Sequence, residues 1–168
     1  MHEDSSAPLD GEEIRRKYGA PFTVTKSNQI LINQQYFVAR FAAEHLVLHE
    51  AKEREFYLYE SKSGLWVKRS IDAVKTMFAD DFKRFIDKCG SSGIAYKSTN
   101  GLLESFASLL RGRVEKINVF KRNGRVIHLP NGMLHLGEKL ELKPFSPEYY
   151  SRNACPIEWN PNSGHSLS

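Results

Sequence analysis

The most constraining feature of the sequence is an apolar stripe at helical spacing that runs from Ile71 to Cys89. Apolar residues recur every three or four positions between these ends, and Ser70 stands where it can cap the first turn. Gly90 stands where a glycine would end the helix. A helix with one apolar face needs a second layer of structure to bury that face. Core packing, rather than a cofactor site, is therefore the predicted role of the stripe.

Other segments supply candidates for that second layer. A helix is predicted from Asn33 to His45, because Asn33 can cap it and apolar residues follow at helical spacing. Another helix fits residues 101–111, and a short basic helix precedes Pro21. Two aromatic-rich runs, at 56–59 and 65–67, flank a polar turn, which is typical of a β-hairpin.

Two Asn-Gly pairs mark turns in the C-terminal part of the chain. Asn and Gly both tolerate positive φ, so the pair at 123–124 predicts a two-residue hairpin that sets Phe120 opposite Ile127. The pair at 131–132 predicts a second hairpin. Its cross-strand pairs would be Leu129 with Leu134 and His128 with His135.

These patterns together predict an α+β fold, a single domain of about three helices with a β-hairpin and a C-terminal β-meander. Residues 1–30 are predicted to be a flexible leader or connector, since the first positions mix Ser, Pro, Gly and acidic residues without periodically spaced apolar residues. Residues 31–161 are the predicted domain, and 162–168 a linker or frayed tail.

Composition narrows the class of protein. The 168 residues suit one domain. The net charge of +4 suggests a mild attraction to polyanions, but the need for solubility explains such a charge equally well. Cys89 and Cys155 are the two cysteines, too few for a disulfide framework. No apolar run approaches the roughly 20 residues that span a bilayer. The sequence therefore predicts a soluble, cytoplasmic protein without membrane contact.

A search for catalytic and metal-binding patterns finds none that is specific. The stretch CGSSGIAYKS resembles a phosphate loop, but its lysine comes four residues after Gly93 instead of directly after it. His45 and His49 have the i, i+4 spacing of a metal pair, but no HExxH glutamate lies between them. We therefore predict no catalytic residue and no metal site.

The strongest functional signal is a cationic stretch. The segment RGRVEKINVFKRNGR, residues 111–125, holds six cations and one acid. Clustered cations near a tight turn can neutralise phosphates. Lysine and arginine are, however, also common on ordinary solvated hairpins. The spacing alone does not decide between a phosphate-binding site and an ordinary hairpin. The candidate DNA-contacting residues are Arg111, Arg113, Lys121, Arg122 and Arg125, with Lys68, Arg69 and Lys97 as weaker candidates.

Two blocks of the sequence resemble a known family. They are INQQYFVARFAAEHLVLHEAKEREFYLYESKSGLW and LPNGMLHLGEKLELKPFSPEYYSRNACPIEWNP. The first closes on a G-x-W motif at Gly64 and Trp66, and the second carries Asn-Gly, Ser-Pro-x-x-Tyr and Asn-Pro motifs in order. Over roughly residues 15–161, the chain is similar to the domain that precedes the ATPase in phage, plasmid and poxvirus superfamily-3 primase–helicases.

This resemblance implies a function. It implies a non-catalytic, collar-like accessory domain of a replicative DNA helicase–primase, one that aids ring assembly and DNA engagement. The implied partners are sister helicase subunits, as a homo-hexamer, and single-stranded or forked DNA without sequence specificity. ATP and magnesium are expected only in the ATPase domain, so no cofactor is expected in this chain, which stops at Ser168 before a Walker motif.

Two alternative functions stay open. One is a pure oligomerisation or partner-docking module that never contacts DNA, with Tyr149, Tyr150 and Trp159 as exposed interface anchors. The other is a winged-helix-like duplex DNA binder. Its reader helix would be 101–111 and its wing 116–136.

Overall fold

The computed structural model describes residues 10–89, 99–121 and 124–162. Four helices, nine strands and one 3-10 helix occur in these ranges, which confirms the predicted α+β class. In chain order they are α1 (Gly11–Tyr18), β1 (Phe22–Val24), β2 (Ile30–Ile32), α2 (Gln34–Glu44), β3 (Val47–Glu50), β4 (Glu55–Glu60), β5 (Leu65–Arg69), α3 (Ile71–Lys88), α4 (Asn100–Val114), β6 (Glu115–Lys116), β7 (Val126–Leu129), β8 (Gly132–Leu136), β9 (Leu140–Lys143) and the 3-10 helix Pro147–Tyr149.

The predicted helix starts are confirmed by their caps. The side chain of Asn33 accepts a hydrogen bond from the Tyr36 amide at the start of α2, and that of Ser70 does the same for the Ala73 amide at the start of α3. Both helices thus begin directly after a short polar residue whose side chain caps the first turn. Helix α4 begins one residue earlier than predicted and ends three residues later. The expected Gly90 cap of α3 lies outside the described residues.

The aromatic stripe of α3 forms the main core, as predicted. Phe78 and Phe82 are each 2% exposed, and Phe41 of α2 and Phe106 of α4 pack beside them. These rings meet at the centre of the helical layer. The sequence pattern therefore identified the buried side of this layer correctly.

A four-stranded sheet in the order β5-β4-β3-β6 carries the helices on one face. Successive strand residues point to opposite faces, so Val47, Phe56 and Leu58 pack into the helical core. Leu48, Tyr57 and Trp66 form a second, smaller core on the other face. The sheet is therefore the middle layer of the domain, and the C-terminal segments cover its second face.

The second C-terminal hairpin forms with a register different from the prediction. Leu129 pairs with Gly132, His128 with Met133 and Ile127 with Leu134, so the expected Leu129–Leu134 and His128–His135 pairs are wrong. The turn is centred on residues 130–131 rather than 131–132. Proline lacks an N–H, and its fixed φ suits the first central position of a turn, so Pro130 occupies that position.

The first C-terminal hairpin prediction is also wrong. Phe120 is not in a strand opposite Ile127; its ring packs on Tyr57 of β4, with the ring centroids 4.6 Å apart. The preceding strand, β6, instead extends the four-stranded sheet by pairing in parallel with β3. The apolar partner available on the sheet thus decides where Phe120 packs. The Asn123 half of the turn lies outside the described residues.

Part of the segment assigned to a connector packs on the domain. Ile14 of α1 is 2% exposed within the main core, and Phe22 and Ile32 of the β1–β2 hairpin pack against that core. The side-chain amide of Asn33 donates to the carbonyls of Tyr18 and Ala20, which ties α1 to the start of α2. Within the described ranges, residues 11–32 are therefore continuous with the domain.

Candidate nucleic-acid interface

Trp66 joins the C-terminal segment 147–151 to the four-stranded sheet. Its indole Nε1 donates to the Pro147 carbonyl at 2.9 Å, and its main-chain N–H donates to the Ser151 carbonyl at 2.8 Å. The ring of Tyr150 stacks on the indole, with centroids 5.9 Å apart and planes 15° apart. The segment 147–151 is thus held along β5 by both main-chain and side-chain contacts.

Gly64 makes a second contact with this exit segment. Its φ is +70°, and a Cβ placed there would lie 2.5 Å from the ring of Phe145. Phe145 in turn stacks on His128 of β7, whose Nε2 donates to the Ser63 carbonyl at 2.7 Å. Glycine is required here both for the backbone conformation and for the close approach of the phenylalanine ring.

We call these contacts of residues 63–66 with 145–151 and with His128 the clasp. The clasp joins the G-x-W and Ser-Pro-x-x-Tyr motifs, which are far apart in sequence. Ser146 caps the 3-10 helix that carries the second motif, and Tyr150 ends it in a left-handed conformation with φ 45°. The clasp holds the C-terminal three-stranded sheet against the rest of the domain.

The proposed interface aromatics are partly occupied by contacts within the chain. Tyr149, Tyr150 and Trp159 are half-buried rather than exposed as expected. The hydroxyl of Tyr149 is 2.8 Å from Nε2 of His135, and the main chain of Trp159 hydrogen-bonds the Asn131 side chain. These residues therefore contribute to folding, whatever partner their remaining surface contacts.

An open groove with a volume of about 840 Å³ lies beside the clasp. Its walls are the segment 119–121, strand β7 and the segment 148–155. Lys121 is the one predicted DNA-contacting residue, among those the structure describes, that lines this groove. It lies there with Tyr149 and Tyr150.

The other predicted cations are placed elsewhere on the domain. Arg113 donates to the Tyr18 hydroxyl at 2.8 Å and lies over its ring, and this contact lowers the pKa of Tyr18. Arg111 is exposed near His49, and Arg125 directly precedes β7. Among the described cations of the stretch, Arg113 thus contacts α1, Arg111 lies near β3, and Lys121 lines the groove.

The weaker candidates on β5 are both in ion pairs. Lys68 lies 2.7 Å from Glu55, and Arg69 lies 2.9 Å from Glu60. A surface ion pair reduces the charge that a phosphate would meet. Lys97 and Arg122 lie outside the described residues.

Sequence reasoning missed Arg152, which organises one wall of the groove. Its guanidinium lies 4.3 Å from the centroid of Phe120 and 2.7 Å from the carboxylate of Glu53. It also donates to the Tyr57 hydroxyl at 3.1 Å, and Tyr57 donates to Glu53. The pKa of Glu53 is lowered, first by the Tyr57 hydrogen bond and then by Arg152. Arg152 stands outside the cationic stretch, so no local pattern marked it.

Glu50 is a buried carboxylate held by main-chain donors. It is 3% exposed, and its two oxygens accept from the amides of Glu53 at 2.8 Å and Asn118 at 2.6 Å. These hydrogen bonds lower the pKa of Glu50. The carboxylate thereby fixes the turn after β3 to the chain after β6, two residues before Phe120.

One set of side chains has the composition of a metal site. Ligand atoms of Glu44, His45 and Asp81 lie within 4.8 Å of one another. Nε2 of His45 is 2.5 Å from Asp81, while Arg84 pairs with Asp81 and Arg40 pairs with Glu44. The two arginines supply the positive charge that a metal ion would bring. We therefore interpret these side chains as an ion-pair network that joins the end of α2 to α3.

Helix α4, the expected reader helix, packs one face on the rest of the domain. Leu102, Phe106 and Leu110 are buried, and the helix packs against α2, α3 and β3. The expected wing at 116–136 is divided between two sheets. The winged-helix arrangement is therefore not formed by the described residues, and none of the described helices is long and apolar enough to cross a membrane.

The comparison with known families gives one match. The family model described as D5 N terminal like matches residues 34–167, which include the second motif block, all but the first two residues of the first block, and the clasp between them. A comparison with curated proteins finds no significant match, and neither does a comparison with solved structures. The chain belongs to the D5 N-terminal-like family, the domain that precedes the superfamily-3 helicase ATPase in primase–helicases.

Proposed function

We propose that this domain is a non-catalytic accessory module of a mobile-element replicative primase–helicase, from a phage, plasmid or virus, that aids ring assembly and engages DNA. The observation that carries the proposal is the family match over residues 34–167. Catalysis, with its ATP and magnesium, is assigned to the ATPase domain that follows in such proteins. A cytoplasmic location is part of the proposal, since Cys89 and Cys155 are both free thiols, as is usual in reducing compartments.

DNA would be contacted through its phosphates. Lys121 is exposed at the groove, Arg111 is exposed at the end of α4, and Arg125 is exposed where β7 begins. Such cations position a nucleic acid without reading its sequence. The division of the expected wing between two sheets favours a contact without sequence preference.

Fluorescence anisotropy tests this part of the proposal. Two labelled single strands of unrelated sequence, a fork and a duplex are titrated with the chain at low salt. The proposal predicts comparable affinities for the two single strands and the fork. A strong preference for one sequence, or no binding to any of the four, would contradict it.

A pure oligomerisation module is the second candidate, and one feature of the C-terminal sheet favours it. Ile127, Leu136 and Leu140 point to the same face and are 38%, 37% and 52% exposed. Adjacent exposed apolar side chains often mark contacts with other chains. As an accessory domain of a hexameric ring, the protein would use such a face between sister subunits.

Sedimentation velocity separates the two candidates. Self-association that is insensitive to salt and is abolished by Leu140→Lys, without any DNA binding, would favour the oligomerisation module alone. Glu141→Lys, which places the new charge one residue further along β9 on the opposite face, is the matched control. It should leave the association intact.

A further inference from the structure

The groove beside the clasp has the lining of a site for unpaired bases. Three aromatic residues line it, namely Phe120, Tyr149 and Tyr150. Phe120 contacts both Tyr57 and Arg152, and Tyr150 is stacked on Trp66. Because these rings are held by the rest of the fold, they are preorganised and lose little side-chain entropy on binding a base.

The charges of the groove suit a phosphate backbone. Lys121 forms no ion pair with any residue that the structure describes, and Arg152 adds a guanidinium beside the Phe120 ring. Arg152 already pairs with Glu53, so Lys121 is the cation with more charge available. Glu148 is the one carboxylate among the described lining residues. Lys121 is therefore the lining cation that a phosphate would meet.

Aromatic rings combined with cations discriminate between forms of nucleic acid. A paired base has its faces covered by its neighbours, whereas an unpaired base can stack on a protein ring. From this lining we infer that the groove binds a short run of single-stranded DNA, with bases against Tyr149 and Tyr150 and a phosphate near Lys121. The inference rests on the proposed DNA engagement and names the place and form of the DNA that is engaged.

The two free cysteines provide a test that needs no substitution. Cys155 is half-buried and lines the groove, while Cys89, also half-buried, lies at the end of α3 and does not line it. The rate at which iodoacetamide alkylates each thiol is measured by mass spectrometry, with and without saturating oligothymidylate. We expect alkylation of Cys155 to slow severalfold and that of Cys89 to stay unchanged.

The outcomes separate this inference from the proposed function. If oligothymidylate binds by anisotropy while Cys155 keeps its rate, DNA engagement stands and the groove is the wrong place. If oligothymidylate does not bind, both fail. Protection of Cys155 that grows with protein concentration in the absence of DNA would assign the groove to a contact between copies of the chain, and would overturn the inference.

Substitution of one ring gives an independent measurement. Tyr149→Ala should weaken oligothymidylate binding about tenfold, since stacking on one aromatic ring contributes roughly that much. Its effect on duplex binding should be small. Trp159→Ala, which removes a half-buried ring that does not line the groove, is the control, and equal losses in the two variants would contradict the inference.

Discussion

The indole Nε1 of Trp66 donates to the Pro147 carbonyl at 2.9 Å, across 81 positions of the sequence. This hydrogen bond lies at the centre of the clasp, where the first motif block meets the second. The clasp explains why the chain leaves its C-terminal sheet through a proline- and tyrosine-rich segment, because that segment returns to cover the second face of the four-stranded sheet.

Trp66→Ala is expected to lower the free energy of unfolding by about 3–5 kcal/mol, because it removes a buried ring that is 6% exposed. Trp66→Phe keeps most of the packing but leaves the Pro147 carbonyl without its donor, and should cost about 1–3 kcal/mol. Urea denaturation followed by circular dichroism measures both. Trp159→Phe is the control and should cost less, since the hydrogen bonds of Trp159 to Asn131 use its main chain.

Gly64→Ala is expected to destabilise the domain by about 2–4 kcal/mol, since it combines a positive φ with a methyl group against the Phe145 ring. Thermal unfolding measures the change. Gly112→Ala is a matched control, because Gly112 is in α4 and its added Cβ would meet nothing within 4 Å. Alanine should stabilise that helix by about 0.5–1 kcal/mol. A neutral Gly64→Ala would show that Phe145 does not pack there.

Glu50→Gln should cost about 1–3 kcal/mol at neutral pH, because one of the two oxygens that accept main-chain amides becomes an NH₂ group. The folded state lowers the pKa of Glu50 below its ordinary value of 4.5. Its stabilising contribution is therefore present above pH 4.5 and is lost as the pH falls through the folded-state pKa. Urea unfolding at a series of acidic pH values should show a flatter profile for Glu50→Gln, whereas exposed Glu138→Gln should keep the wild-type profile.

His49 should make the domain sensitive to mild acid. It is 3% exposed, and burial, followed by the charge of Arg111, lowers its pKa below 6.5, while Glu115 at 3.6 Å opposes the shift. The unfolded chain then binds the proton more tightly than the folded chain does. Neutral His49 therefore costs no stability above pH 6.5, and the free energy of unfolding declines as the pH falls below that value. Unfolding free energies between pH 7 and 5.5 should decline less in His49→Gln than in wild type or in a His135→Gln control. Equal declines in all three would place the acid sensitivity elsewhere.

The sequence was sufficient where local chemistry decides the structure. Asn33 and Ser70 cap the helices they were expected to cap, because a cap depends on residues within one turn. The register near Pro130 was missed because a proline at the flank of an Asn-Gly pair also fits the turn itself. Phe120 was misplaced because its partner, Tyr57, is distant in sequence. Arg152 was missed for the same reason, since it acts through Glu53 and Phe120, and no nearby residue signals either contact.

The salt dependence of single-strand binding tests the central functional claim most directly. Anisotropy titrations of labelled oligothymidylate at several salt concentrations should show affinity falling as salt rises. Lys121→Ala should reduce the log–log slope by about 0.7, the value of one phosphate contact on a single strand. Lys26→Ala, an exposed lysine in the β1–β2 turn, should leave the slope unchanged. Binding that is independent of salt, or absent at low salt, would contradict an accessory domain that engages DNA through its phosphates.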